Sequence, residues 1–192
     1  MLIDVYDFDG TIYDGDSTFD LAMFCLRRHP VLFKRMPHLF AVLFRLARGK
    51  IGLTAFKSEL FGEISRVCSL DEEARLFWQQ EKTLKKIGAW FQSTPRDLPI
   101  IIASASPEFE LKYAVKVLGM DTLIGTRCDV ATGQLMGKNC KGEEKLLRIG
   151  ELLGDYEIRA MYTDSVKSDG PLLRCAREGY ILKHGKISPF QG

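Results

Sequence analysis

The stretch VYDFDGTIYDGD, residues 5–16, sets Asp7 and Asp9 two positions apart, directly after the β-rich run Leu2 to Tyr6. On an extended chain, residues i and i+2 point to the same side, so the two carboxylates share one small space at the end of that run. Like charges so close are tolerated only if one holds a proton, if solvent screens them, or if a cation lies between them. Strand-formers running into Asp-Phe-Asp-Gly-Thr read as a buried strand entering a turn. The spacing predicts a strand whose end is a site.

Two further runs have the same design. LPIIIASAS (98–106) leads three isoleucines to Ser104 and Ser106, and IRAMYTDS (158–165) ends in Asp164 and Ser165. In an open parallel α/β sheet the carboxyl ends of the strands share one edge, where ligands bind. Helices are predicted from Ser106, as N-cap before Pro107, to Leu118 with Gly119 as stop; from Gly142 to Leu153, stopped by Gly154; and from Pro171 to Arg177. YILK (180–183) reads as a strand, and RCDVATGQLMGK (127–138) as a hairpin turning at Thr132-Gly133.

Residues 16–95 contain no convincing strand. Helix signals fall at Pro37, at Thr54 and at Ser69, where Ser69-Leu70-Asp71-Glu72 matches a capping box. The expected organisation is therefore an α/β core of residues 1–15 and 96–192, interrupted by a helical insertion over 16–95. STPRDLP (93–99) returns the chain to the core, and hinges are expected near 14–17 and 93–99.

Charge and cysteine usage exclude several classes. Lys and Arg number 27 against 25 Asp and Glu, so the whole molecule does not read as a nucleic-acid binder. Five scattered cysteines with no Cys-x-x-Cys pair argue against a disulfide framework or zinc knuckle and fit a reducing cytosol. The first residues carry acids where an export signal carries bases. The apolar run HLFAVLFRLA (38–47) is about half of the roughly 20 residues a spanning helix needs, and Arg45 interrupts it. A cytoplasmic protein is expected.

Taken together, Asp7, Asp9, Thr11, Ser104, Asp164 and Asp169, with a lysine from CKGEEK (140–145), bring several acids and one base to a single sheet edge. A divalent cation resolves the repulsion, and hard oxygen donors of this kind suit Mg2+, which keeps waters and substrate phosphate in its shell.

These residues resemble the haloacid dehalogenase superfamily of aspartate-nucleophile phosphatases. DFDGT resembles the first motif, Ser104 after IIIA the second, Lys145 in CKGEEK the third, and YTDSVKSD (162–169) the fourth, in family order and over nearly the whole chain. The resemblance implies a three-layer Rossmann-like α/β core with a parallel sheet and a small all-helical cap of the first type, inserted between the first and second motifs. It implies Asp7 as nucleophile forming a phosphoaspartyl intermediate, and Asp9 as general acid and then base. Thr11, Ser104, Ala105 and Lys145 would hold phosphoryl oxygens; Asp7, Asp9 and Asp164 would hold Mg2+; Ser165, Ser168 and Asp169 would support the metal site. Asp9 separates phosphatases from the dehalogenating branch, whose motif lacks the second aspartate. In the fourth motif position 168 is Ser and the second acid falls at 169, so either could support the metal waters. In the third, Lys141 competes with Lys145.

A narrower likeness, carried by LRRHP (26–30), CKGEEK and YTDSVKSDGPLLRCA (162–176), is to the subclass of phosphoserine phosphatases and type C phosphatidylglycerophosphatases. It implies a phosphorylated small molecule or a lipid or glycerol-type phosphate as substrate. From Asp20 to Lys57 eight bases face the single acid Asp20, among Phe33, Leu39, Phe40, Leu43, Phe44 and Leu46. Such a segment can rest on an anionic membrane surface or cover a lipid-like phosphate. The plainer alternative is helices that pack their apolar face inward and leave Arg and Lys in water. Phosphotransfer to another hydroxyl, and a non-catalytic phosphate-sensing module, are the other readings the same motifs leave open.

Overall fold

The computed structural model describes residues 1–120, 122–183 and 185–191. Its sheet has strands β1 (Leu2–Tyr6), β2 (Ile100–Pro107), β3 (Thr122–Cys128), β4 (Leu135–Met136), β5 (Glu157–Thr163), β6 (Glu178–Lys183) and β7 (Lys186–Pro189) in the order β4-β3-β2-β1-β5-β6-β7. The five inner strands run parallel, and β4 and β7 close the edges antiparallel. β1 lies at the centre, with Tyr6 level with Ile102 of β2 and Tyr162 of β5. This register brings the ends of β1, β2 and β5 together, which is what gathers the three polar strand ends.

Side chains alternate across the sheet, and each face buries its own cluster. Ile3, Val5, Ile101, Ala103 and Met161 pack with Ile149 of α8 (Glu143–Leu153) and Leu172 of α9 (Val166–Cys175). On the other face Tyr6, Ile102 and the Tyr162 ring, stacked on Tyr6 at 4.5 Å, meet α7 (Glu108–Val117) and the inserted helices. Three layers result.

The insertion is helical throughout its described elements: α1 (Ser17–Arg28), a 3-10 turn at Pro30–Arg35, α2 (Met36–Ala47), α3 (Leu53–Ser65), α4 (Leu70–Trp78), α5 (Glu81–Leu84) and α6 (Ala89–Ser93). Phe61, Trp78 and Phe91 from these helices share one cluster with Tyr6 of β1, Phe8 of the turn after it and Phe109 of α7, so the two parts have a common core. No helix among the described residues is long and apolar enough to cross a membrane.

Several predicted boundaries shift. Ser106 does not cap α7: the residue before the helix is Pro107, and the Ser106 hydroxyl is turned to Asp9. The helix predicted at Pro171 begins at Val166, capped by Ser165, and kinks at Asp169 ahead of the proline, which cannot continue the hydrogen-bond ladder. At Ser69 the box is half made: Ser69 Oγ accepts from Glu72 N at 3.4 Å, while the Glu72 carboxylate goes to Arg75. The hairpin turns at Gly133 as predicted, but its first strand extends back to Thr122 as an inner strand of the sheet. That segment is short of long apolar runs, so its strand character comes from pairing with β2.

Candidate active site

β1 ends at Tyr6, and the backbone N–H of Asp7 donates to Tyr162 O at 2.9 Å, which carries the pairing one residue further and fixes where Asp7 stands. Gly10 then turns the chain with φ +73°, and a Cβ there would lie 2.4 Å from Asp164 Oδ2. Only glycine lets the β1 turn and Asp164 approach this closely. Thr11 Oγ1 accepts from the Asp164 backbone N–H at 2.9 Å and ties the same turn to the end of β5.

Lys145 on α8 is the buried cation of the site. It is 1% exposed, with Nζ 2.8 Å from Asp7 Oδ1 and 2.7 Å from Asp169 Oδ1. Asp169 is fully buried and also accepts from Thr163 Oγ1 at 2.7 Å. Burial opposes the charge on Lys145, but its two carboxylates outweigh that and hold its pKa above the ordinary value. Lys141 is exposed on the turn before α8. Of the two candidates at the fourth motif, Asp169 joins Lys145, whereas Ser168 stays in the helix cap, its N–H and hydroxyl both meeting Ser165 Oγ.

Asp9 is held apart from this triad. Its Oδ1 accepts from Ser17 N at 2.7 Å and its Oδ2 from Ser106 Oγ at 2.5 Å. Burial raises its pKa against these two donors. Asp7 is pushed up to about 7, by burial first, with Lys145 pulling it down and Asp169 and Asp9 pushing it further up. Burial raises Asp164 as well. The triad alone carries two carboxylates against one ammonium, and Asp9 and Asp164 add to the negative side. An oxygen-seeking cation beside Asp7 and Asp164 would oppose the upward shifts of those two.

The three expected metal carboxylates do not close into one cage: among the described residues no three of their ligand atoms lie within 4.8 Å of one another. The Asp9 carboxylate is committed to Ser17 and Ser106, whereas Asp7 is held by Lys145 through one oxygen. A set of donors that does converge, His29, Cys68 and Glu73, lies in the insertion, where Glu73 already accepts from Arg28 Nε at 2.8 Å and His29 Nε2 at 3.0 Å.

The other expected residues, Ser104 and Ala105, lie near the carboxyl end of β2. Ser104 is buried, its Oγ accepting from Ser106 N at 3.1 Å, and the Ala105 carbonyl accepts from Thr126 Oγ1 at 2.9 Å. Neither bonds Asp7. Sequence reasoning missed the chain of contacts behind Asp9: Ser106 Oγ lies 3.2 Å from Thr18 Oγ1, Thr18 Oγ1 donates to Glu110 Oε2 at 3.0 Å, and Lys57 Nζ approaches Thr18 Oγ1 at 3.5 Å. Glu110 is fully buried, and burial with nearby Asp9 pushes its pKa up to about 8. Its position in the first turn of α7, where an acid is ordinary, carried no signal that the insertion would close over it.

A family model described as haloacid dehalogenase-like hydrolase matches residues 5–174. Protein CicA of Caulobacter vibrioides is 31% identical over 200 residues, covering 96% of this chain and 88% of that protein. A solved Bordetella pertussis Tohama I protein, described as of unknown function, superposes with a TM-score of 0.71 at 20% identity, covering 93% of this chain and 88% of its own. A phosphoserine phosphohydrolase-like protein from Francisella tularensis does so at 0.58 and 14%, covering 93% and 86%. The structural likenesses extend through both the sheet and the inserted helices and speak for a shared fold.

Proposed function

The chain belongs to the haloacid dehalogenase-like hydrolase family, and on that premise we propose that it is a Mg2+-dependent phosphomonoester hydrolase with Asp7 as nucleophile and Asp9 as general acid and base. The observation that carries this reading is the division of the two aspartates. Asp7 is bound through Oδ1 by Lys145, while Asp9 is held separately by Ser17 and Ser106.

Lys145 occupies one oxygen of Asp7 and leaves Oδ2 to attack phosphorus. As the Asp7–phosphorus bond forms, the bond to the leaving oxygen breaks, and Asp9 gives that oxygen a proton. The upward pull of burial on Asp9 suits a group that must hold a proton in this step. Asp9, now ionised, takes a proton from water, which attacks the phosphoaspartate, frees phosphate and restores Asp7. Ser104 and Lys145 border the space for the phosphoryl oxygens, and Thr11 braces Asp164. The donor set fits Mg2+, which Asp7 and Asp164 would hold. When bound, the ion supplies positive charge beside the phosphoryl oxygens. Residues 16–95 act as a cap that keeps bulk water from this chemistry.

The substrate read from the basic, apolar insertion is a lipid or glycerol-type phosphate. The test is phosphate release from a panel of lysophosphatidate, glycerol phosphates, phosphoserine and sugar phosphates, with Mg2+ or chelator, beside Asp7→Asn. Metal-dependent release lost in the variant is expected. Release that persists in Asp7→Asn, or none from any member by folded, Mg2+-loaded protein, overturns the proposal.

A further inference from the structure

The scattered cysteines carry no local metal signature, yet the fold brings three unlike donors together from separate segments of the insertion. His29 closes α1, Cys68 lies in the turn between α3 and α4, and Glu73 stands in the first turn of α4. One ligand atom from each lies within 4.8 Å of the other two. Glu73 is only 4% exposed, and the fully buried thiol of Cys25, one helical turn before His29, meets Cys68 from the core side. Bonds of about 2.0–2.3 Å set the ligands of a tetrahedral zinc ion roughly 3.3–3.8 Å apart. Donors already this close need to move by about an ångström.

The present partners leave room for an ion. Glu73 Oε2 accepts from Arg28 Nε at 2.8 Å, and Glu73 Oε1 pairs with His29 Nε2 at 3.0 Å. An ion entering between Oε1 and the imidazole replaces one hydrogen bond, while Arg28 keeps Oε2 and orients the ligating carboxylate. Cys68 Sγ makes a weak contact with Ile64 O at 3.6 Å. Cys68 also lines an open cavity of about 410 Å³ with Ser65, Arg66 and Ser69, which gives an ion a way in and water a coordination position. Arg66 on that wall is paired with Glu63, which offsets its charge.

We propose that His29, Cys68 and Glu73 form a binding site for Zn2+, with water as the fourth ligand, that ties the end of α1 to the turn between α3 and α4. A nitrogen, a thiolate and a carboxylate suit Zn2+, whereas the preference of Mg2+ for oxygen directs it to the strand ends. On binding, the Cys68 thiol releases its proton to solvent and the thiolate sulfur bonds the ion. The proposal stands independently of the phosphatase reading.

The experiment uses the full chain, reduced with a phosphine and kept in excess Mg2+, titrated with Co2+ as a spectroscopic probe and with Zn2+ against a chromophoric chelator. Co2+ is expected to bring a thiolate-to-cobalt charge-transfer band in the near ultraviolet and the intense visible bands of a tetrahedral ion, both erased by Zn2+. Cys68→Ser is expected to lose the charge-transfer band, and His29→Gln to bind Zn2+ at least about tenfold more weakly. Cys175→Ser, at an exposed position, is expected to change neither. Free Zn2+ at about 100 times its Kd is expected to raise the melting midpoint of the parent by about 5–10 °C and to leave that of Cys68→Ser unmoved. Absence of the band in the folded parent overturns the site. A band that survives Cys68→Ser overturns it too, by placing the ion on another cysteine, as does an unchanged Zn2+ affinity in His29→Gln. Circular dichroism checks that each variant is folded, and His29→Gln keeps the test decisive where Cys68→Ser is not.

Discussion

Lys145 Nζ sits 2.8 Å from Asp7 Oδ1 although 138 residues separate the two in sequence, and both are buried. An ammonium in that position is stable only while its carboxylates remain, and the reverse holds for Asp7 and Asp169. Lys145→Met therefore leaves buried like charges facing each other. It is expected to lower unfolding free energy by about 3–5 kcal/mol, read by urea denaturation. An unchanged midpoint would mean the triad is hydrated in solution.

Ser106 gives Asp9 one of its two donors. Ser106→Ala leaves the carboxylate free to turn and one oxygen unpaired. kcat is expected to fall about tenfold to a hundredfold with KM nearly constant, a part of the roughly 10²–10⁴-fold that a positioned acid-base group contributes. Steady-state kinetics on any turned-over phosphate checks this, and a change confined to KM would assign Ser106 to substrate binding instead.

Glu110 gives stability a pH dependence of known sign. Its pKa is about 8 in the folded chain against the ordinary 4.5, so between these values the folded state binds more protons than the unfolded one. Stability then falls as pH rises through that window, at most about 1.4 kcal/mol per pH unit from this group. Glu110→Gln lacks the titration. Its stability relative to the parent is expected to improve from pH 4.5 to 8 and to level off above, measured by denaturant unfolding at each pH; a constant difference would show Glu110 ionised in the fold.

Gly133 turns the β3–β4 hairpin against α3. With φ +74° and a would-be Cβ 2.3 Å from the Phe61 carbonyl carbon, Gly133→Ala combines left-handed strain with a backbone collision. A loss of roughly 3–5 kcal/mol is expected, at the upper end for a point substitution. Gly137, with φ +70° and nothing within 4 Å of a Cβ, should lose only about 1 kcal/mol on the same change. Equal losses at the two positions would mean the hairpin does not lean on α3.

Local chemistry determined much of this protein. Apolar runs ending in small polar residues marked β1, β2 and β5, because hydrophobic runs and the turn residues that close them are encoded within a few neighbouring positions. The glycine at 133 and the helix stops at Gly119 and Gly154 were legible for the same reason. The ordered motifs brought Asp7, Asp9, Lys145 and Asp164 into one reading, while β3, the start of α9 and the true use of Ser106 were not legible. β3 becomes a strand by pairing with β2, and α9 begins where Ser165 finds Ser168 N–H. Ser106 had a local use as a cap, and only the approach of the β1 turn offered it Asp9 instead. The GEEK context already favoured Lys145 over Lys141, but tertiary structure alone chose Asp169 over Ser168 as its partner in the buried triad, since a charge can stay buried only where an opposite charge from a distant segment meets it.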